Sequence, residues 1–253
     1  MTILCYHAVQ AGWESPMVMD PQAFAEHAEW LVRRTSVVPL QSAVNSLDHR
    51  FRLPRGTTAL TFDDGFDGLH AHLTPVLDRL GMPATVFLVA ETLTEAGRSV
   101  DWVDTPPSYP LATLSLDQVR DMQASGVRFE SHSFSHLDLT QLSFQDCVDD
   151  LTRSRELLES LLDRPVRLLA YPRGRHNAAV RAAAQRAGYS HAFTLPEGRE
   201  APGPFSVPRV GIHQGNGVAH LRLKTARPYL GVRTSRAYQT VHRAGRAVRG
   251  AAG

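Results

Sequence analysis

Residues 60–68 read LTFDDGFDG and place two neighbouring carboxylates directly after an apolar run. The run itself, TTALTF at residues 57–62, has the composition of a buried β-strand. Asp63 and Asp64 follow it, although adjacent carboxylates repel each other and resist removal from water. A divalent cation would resolve this conflict, because one carboxylate can bind the cation while the other accepts a proton beside it. The stretch therefore predicts a buried strand that ends at a metal site.

Segments with strand and helix patterns alternate on both sides of this stretch. Strand patterns lie at residues 2–6, 37–40, 57–62, 84–90, 127–131, 166–171, 191–195 and 207–212, and helix patterns at 21–34, 67–80, 115–126, 144–163 and 177–187. Residues 91–113 show no clear period and contain three prolines, which predicts a long loop. Strands that alternate with helices indicate a parallel sheet, and roughly seven or eight such units favour a closed or nearly closed α/β barrel.

The composition is that of a globular protein. The chain has 253 residues, of which 43% are hydrophobic and 21% charged, and it contains no apolar run of the ~18 residues that a membrane helix needs. Cys5 and Cys147 give no disulfide framework. The opening MTILCYHAV lacks the pattern of a signal peptide, so we expect a cytoplasmic protein. We expect one catalytic domain over residues 1–215, followed by a C-terminal helix and basic tail over 216–253.

The charges are distributed unevenly along the chain. No acidic residue follows Glu200, whereas nine arginine and lysine side chains do. The last ~25 residues therefore form a basic tail rich in alanine, glycine and arginine. Such a tail is typical of a solvated terminus, or of contact with an anionic surface such as lipid headgroups or phosphate, which would make the protein membrane-peripheral. We expect no nucleic-acid partner.

Side chains that bind metals follow several of the predicted strands. The stretch ESHSFSH carries His132 and His136 after one strand, and His7 follows the first strand. In parallel α/β folds the functional groups collect where strands end. Two histidines and one carboxylate are a standard ligand set for a catalytic divalent metal, and they leave positions open for water or substrate. The HxxxH spacing and the Asp-Asp-Gly are each weak signals, but together, after buried strands, they predict a metal site.

Two of these stretches are similar to the motifs of one family. TFDDG at residues 61–65 resembles the first motif of the polysaccharide deacetylases, also called the NodB-homology or carbohydrate esterase family 4 proteins. HSFSH at residues 132–136 resembles their second motif, H(S/T)xxH. The resemblance extends from residue 1 to about residue 213. It implies a distorted (β/α)7 barrel and a metal-dependent hydrolase that removes acetyl groups from sugars.

The resemblance assigns roles to the residues of both motifs. Asp63 would be the general base, and Asp64, His132 and His136 would hold one divalent cation. The cation is zinc in most members of the family, with cobalt, nickel or manganese as alternatives. Hydrolysis would proceed by attack of metal-activated water on the acetyl carbonyl.

The third motif departs from the pattern of the family. It supplies a backbone N–H to the developing oxyanion, and the stretch here is AYPRG, similar to the AYPYG variant of biofilm-matrix deacetylases. The family arginine that orients the base is replaced by Ala170, so the base needs another partner. Our candidate for this partner is Arg209. The alternative interpretation is that Arg209 is an ordinary surface arginine. The expected substrate-binding and oxyanion residues are Tyr171, Pro172 and Arg173.

The leaving amine needs a proton, and two histidines are candidates for the donor. His7 lies in YHAV, which is similar to the YHxV opening of the biofilm-type deacetylases, in which the strand that carries the acid has moved to the N-terminus. His213 in GIH is the alternative. We favour His7 as the proton donor. The competing interpretation is that His7 is a histidine packed in the core.

The expected function is removal of an acetyl group from an N-acetylated amino sugar, carried on a glycan, a glycolipid precursor or a glycosylated metabolite. Hydrolysis of a non-sugar amide or a cyclic amide on the same fold is the first alternative, because the third motif is altered. A non-catalytic carbohydrate-binding relative is the second, and the intact set of four acidic and histidine side chains disfavours it.

Overall fold

The computed structural model describes residues 2–50, 56–196, 203–235 and 238. The strands are β1 (Thr2–Tyr6), β2 (Ala8–Val9), β3 (Val18–Met19), β4 (Ser36–Val37), β5 (Thr57–Phe62), β6 (Ala84–Leu88), β7 (Arg128–Ser131), β8 (Leu168–Ala170), β9 (His191–Thr194), β10 (Val207–Pro208) and β11 (Val210–Gly211). The helices are α1 (Pro21–Arg34), α2 (Leu40–Arg50), α3 (Thr74–Leu80), α4 (Leu116–Ala124), α5 (Phe144–Leu162), α6 (Ala178–Arg186), α7 (Val218–Thr225) and α8 (Tyr229–Arg233). The predicted alternation of strands and helices is confirmed.

The strands of the main sheet are parallel and follow the order β10-β9-β8-β7-β6-β5-β1-β11. β10 pairs with β9, and β11, one residue further along the chain, pairs with β1. The segment 207–211 therefore bonds to both free edges of the sheet and closes it. Counting β10 and β11 as one broken strand gives seven wall positions, so the predicted distorted (β/α)7 barrel is confirmed.

The barrel interior is filled by apolar side chains. Phe87 of β6 and Phe193 of β9 have ring centroids 5.6 Å apart. Because β7 and β8 separate these strands in the sheet, this contact crosses the interior. The same cluster includes Ile3, Ala59, Leu168, Ala170 and Val207 of the wall, with Leu40, Ala43 and Val44 of α2. A second cluster packs the outer helices against the sheet.

Helix α2 corrects the sequence prediction. Residues 37–40 were expected to form a strand, but β4 covers Ser36–Val37 only and α2 begins at Leu40. The apolar residues of α2 that pack on the interior cluster recur at helical spacing, Leu40, Ala43, Val44 and Leu47. Since Ile3 and Ala59 lie near the starts of their strands, α2 covers the end of the barrel opposite to the strand ends that carry the polar motifs.

Several helix ends agree with the sequence. Asp20 accepts hydrogen bonds from two backbone N–H groups at the start of α1, and Ser115 forms the expected capping box with Gln118 at the start of α4. The predicted helix over 67–80 is instead a π-helical turn, Leu69–Leu73, followed by α3. Pro75 in the first turn of α3 has no N–H to donate, which explains why one continuous α-helix does not form.

The end of the chain has two short helices, α7 and α8. Residues 239–253, which contain most of the predicted basic tail, lie outside the described residues. Its contact with an anionic surface, the domain boundary at residue 215 and the cytoplasmic location all stay predictions. Among the described residues, no helix combines the length and apolar character that spanning a bilayer requires.

Candidate active site

The two carboxylates after β5 have separate partners. Asp63 and Asp64 are 2% and 1% exposed, and the backbone enters the left-handed region at Asp64 (φ 69°). Gly65 continues in that region, and a β-carbon there would lie 2.6 Å from Leu88 Cδ2. This turn directs Asp63 to an arginine and Asp64 to the histidines. The two adjacent carboxylates thus have different surroundings: Asp63 pairs with the arginine, and Asp64 belongs to the histidine cluster.

Asp63 forms a buried ion pair with Arg209. The Nη1 and Nη2 atoms of Arg209 donate to Oδ1 and Oδ2 of Asp63 at 2.6 and 2.7 Å. Arg209 is 1% exposed and sits between β10 and β11, at the segment that closes the barrel. Burial by itself would raise the pKa of Asp63, but the Arg209 guanidinium and, next, His132 hold this pKa well below its usual range. The surface alternative for Arg209 is wrong.

Asp64, His132 and His136 meet at one point. Their candidate ligand atoms lie within 4.8 Å of one another, and Asp64 Oδ1 is 3.2 Å from His136 Nε2 and 3.6 Å from His132 Nε2. Ligands of a tetrahedral zinc ion are about 3.4 Å apart, given metal–ligand distances near 2.1 Å. Asp64 Oδ2 is buried and has no hydrogen-bond partner among the described residues. The donor set and this unpartnered atom fit a divalent cation.

His132 is oriented as a metal ligand. His132 Nδ1 donates to the Ala170 carbonyl at 2.8 Å, so its Nε2 keeps a lone pair directed at the site. Burial is the main cause that lowers the pKa of His132 to about 4, against the attraction of Asp63. The imidazole is therefore neutral near pH 7, which is the form that binds metals.

Asp150 of α5 holds the loop that carries both histidines, a role that no sequence pattern predicts. Its carboxylate accepts hydrogen bonds from the backbone N–H groups of Phe134 and Ser135 at 2.9 and 3.2 Å, and from the Ser135 hydroxyl. The loop contains positive φ values at Ser133 (70°) and His136 (55°), which cost energy for residues other than glycine. The partly buried hydrogen bonds that Asp150 accepts from this loop offset that cost. An acidic residue on a helix has no distinguishing sequence signal.

The third motif reaches the same edge of the barrel. The backbone N–H of Tyr171 donates to the Phe193 carbonyl at 3.1 Å, and Pro172 has no N–H. Arg173 has a φ of 56°, and its N–H has no acceptor among the described residues. A β-carbon at Gly174 would lie 2.6 Å from Leu195 N, which explains the glycine. Of the three expected oxyanion residues, Arg173 is thus the one whose backbone can donate.

His7 and His213 differ in their relation to the base. The metal-binding atoms of His7, Cys5 and Asp63 lie within 4.8 Å of one another, so His7 is beside the base. Nδ1 of His7 is buried without a partner among the described residues. His213 lies on the turn after β11 with an exposed side chain. Partial desolvation of its ring, the Lys224 ammonium and His7 lower its pKa to about 4. A histidine with so low a pKa is unprotonated near pH 7 and is a poor proton donor there.

Replacement of Arg209 by methionine is expected to destabilise the protein by about 3–5 kcal/mol, because it leaves the buried carboxylates without their counter-charge. The free energy of unfolding in urea measures this loss. Arg33→Met is the control, since Arg33 is 69% exposed and pairs with Glu29 at the surface, where such pairs contribute about 0–1 kcal/mol. If both substitutions lowered the free energy of unfolding equally, Arg209 would not be the counter-charge of the buried carboxylates.

Sequence comparisons agree with this geometry. A family model described as polysaccharide deacetylase matches residues 52–192. The putative polysaccharide deacetylase YxkH of Bacillus subtilis (strain 168) is 24% identical over 219 residues, which cover 85% of this chain and 72% of the relative. The poly-beta-1,6-N-acetyl-D-glucosamine N-deacetylase of Staphylococcus epidermidis is 24% identical over 200 residues, which cover 75% of this chain and 66% of the relative.

Two solved structures share the fold. The Streptococcus pyogenes deacetylase PplD in complex with acetate has a TM-score of 0.76 and 24% identity, with 89% of this chain and 98% of that chain covered. IcaB from Ammonifex degensii has a TM-score of 0.74 and 24% identity, with 88% and 96% covered. The family model spans more than half of the 253 residues, and this chain therefore belongs to the polysaccharide deacetylase family.

Proposed function

We propose that this protein is a metal-dependent deacetylase that hydrolyses the acetamide of an N-acetylated amino sugar. One observation carries the proposal. The buried Asp63–Arg209 pair lies directly beside the Asp64, His132 and His136 cluster, at the carboxyl end of a closed barrel. A carboxylate that is held ionised next to a complete ligand set is the arrangement that amide hydrolysis requires.

Asp64, His132 and His136 would hold the cation, with zinc as the first choice for a site of two imidazoles and one carboxylate. When bound, a divalent cation polarises the acetyl carbonyl and acidifies the attacking water. The remaining steps fall to side chains and backbone groups around this cluster.

Asp63 accepts the proton of the attacking water. Arg209 holds its carboxylate in one orientation through two hydrogen bonds, so the base is fixed before substrate arrives. The Arg209 guanidinium keeps the pKa of Asp63 low, so its carboxylate is ionised and able to accept a proton near neutral pH. The unengaged N–H of Arg173 would donate to the oxygen of the tetrahedral centre.

His7 donates a proton to the departing amine in this proposal. Replacing His7 by glutamine is expected to lower kcat by about 10²–10⁴-fold, the usual contribution of a general acid. His213→Gln is the matched control and is expected to leave kcat within about threefold, because His213 is already unprotonated near pH 7. Rates of acetate release measure both. If the larger loss falls on His213→Gln, the roles are reversed.

A cleft of about 470 Å3 lies beside the loop that follows β2, and its lining contains none of the residues assigned here to catalysis or cation binding. It lies between residues 10–14, which follow His7 and β2, and residues 214–217, which follow His213. Carboxamides and carboxylates, which hydrogen-bond sugar hydroxyls, line it: Gln10, Glu14, Asp20, Gln214 and Asn216. Its volume is within the range of small-ligand sites, about 300–1,000 Å3. The name of the Staphylococcus epidermidis relative favours N-acetylglucosamine polymers as the first substrates to examine.

The substrate class is tested with a panel assayed in zinc-containing buffer. It comprises oligomers of β-1,6-linked and β-1,4-linked N-acetylglucosamine, an N-acetyllysine peptide and a cyclic amide. We expect acetate from at least one sugar oligomer and no product from the peptide or the ring. Ring opening, or acetate from the peptide alone, would replace the sugar assignment with the non-sugar amide alternative. A protein that acts on nothing and binds no cation would be a non-catalytic relative.

A further inference from the structure

Trp102 lies against the cation ligands. It belongs to the long aperiodic loop that begins after β6, and it is 7% exposed. Its indole Nε1 donates to Asp64 Oδ1 at 3.1 Å. Its ring stacks on His136 with centroids 4.8 Å apart and planes inclined by 28°. One side chain therefore contacts two of the three residues that would bind the metal.

Arg173 of the third motif holds this part of the loop in place. Its Nη2 donates to the Trp102 carbonyl at 2.8 Å, and its Nη1 contacts Asp104 Oδ1 at 3.2 Å. Asp104 is 82% exposed, so the bond to the buried carbonyl is the stronger of the two. Further along, the Thr105 carbonyl accepts a hydrogen bond from Trp13 Nε1 at 2.7 Å. The loop is thus fixed at Trp102 and at the residues that follow it.

We propose that Arg173 and Trp102 form a latch that positions Asp64 and His136 for the cation. The proposal rests on the proposed function. Trp102 is a positioning residue, because its N–H occupies one lone pair of Asp64 Oδ1, the oxygen that lies 3.2 and 3.6 Å from the two imidazole Nε2 atoms, and fixes the rotation of the carboxylate. Arg173 acts through Trp102. The side chain that stands where the AYPYG variant has its second tyrosine thereby acquires a role in cation binding.

The latch predicts a loss of cation affinity that does not depend on catalysis. Trp102→Phe keeps a ring that can stack on His136 but removes the N–H. Outer hydrogen-bond partners of metal ligands contribute about 10–100-fold to affinity, so the dissociation constant for Zn²⁺ should rise by that factor. Arg173→Met keeps the backbone N–H and should raise the constant by about 3–10-fold, below that range because Trp13 still anchors the loop.

The test uses full-length apo-protein and a chelator competition titration with Zn²⁺ alone. Arg175→Met is the matched control, because Arg175 lies two residues away, pairs with Asp138 at 2.9 Å and has no described hydrogen bond to the loop. The visible absorption of Co²⁺ in the same variants reports the ligand geometry. We expect an altered spectrum in Trp102→Phe and an unchanged one in Arg175→Met.

A double mutant separates a latch from two independent effects. If Arg173 acts through Trp102, adding Arg173→Met to Trp102→Phe should weaken Zn²⁺ binding by less than about twofold further. The proposal would be overturned if the increase of the Zn²⁺ dissociation constant in the double variant equalled the product of the two single increases. It would also be overturned if either single variant bound Zn²⁺ as tightly as the wild type. Those results leave the proposed function intact if the wild type still binds zinc and releases acetate. Absence of any zinc binding by the wild type would defeat both.

Discussion

Replacing Asp63 by asparagine is expected to abolish deacetylation, with kcat lowered by about 10²–10⁴-fold. The carboxamide has the size of the carboxylate but cannot accept a proton near neutral pH. It also presents an NH2 group to one of the two Arg209 donors and thereby breaks the bidentate pair. Release of acetate from the best sugar oligomer measures the effect.

The same short stretch supplies the control for this substitution. Asp67→Asn makes the identical chemical change four residues further on, at an exposed side chain, and should leave kcat near the wild-type value. The Zn²⁺ dissociation constant of Asp63→Asn should stay within about tenfold of wild type, because Asp64 and not Asp63 belongs to the ligand cluster. An Asp63→Asn enzyme that keeps a tenth or more of its activity would show that another group is the base.

Loss of the cation is expected to have the second large effect. Dialysis against a chelator should remove activity, and zinc should restore it. The cation binds the folded state, so at 100 times its dissociation constant it should raise the free energy of unfolding by about 2.7 kcal/mol. His132→Gln should lose both the activity and this stabilisation, because it removes a buried ligand whose other nitrogen is tied to Ala170.

His220→Gln is the control for the histidine substitution, since His220 is exposed on α7. It should retain zinc-dependent stabilisation and activity. If the wild type remains active after its metal content has been reduced to background, the cation has no catalytic role in this protein.

The sequence predicted the parts of the site that lie next to regular elements. TFDDG spans the end of β5 and HSFSH follows β7, so the apolar patterns of these strands located the loops that hold the ligands. The Asp63–Arg209 pair was a choice between two interpretations, because the two residues are 146 positions apart and no local pattern shows which strand closes a barrel. That information exists only in the pairing of β10 with β9 and of β11 with β1.

Two supporting residues had no signal in the sequence. Trp102 lies in a segment without periodicity, where a tryptophan is as compatible with the core as with a site. Asp150 lies on α5, where acidic residues are ordinary on the outer face. The role of each depends on a tertiary contact, to Asp64 in one case and to the loop at Phe134 and Ser135 in the other.

The position of Arg209 on the closing segment has a consequence for the order in which the site is completed as the chain leaves the ribosome. Residues 2–196 emerge first and include Asp64, His132 and His136, but a barrel folded from them alone would have open edges at β1 and β9, and such edges are prone to pair with other chains. Asp63 meanwhile has no guanidinium to hold it. When residues 207–211 emerge and insert, one event removes both edges and prepares the base. A nascent chain stalled before that point would hold the ligands without the means to use them.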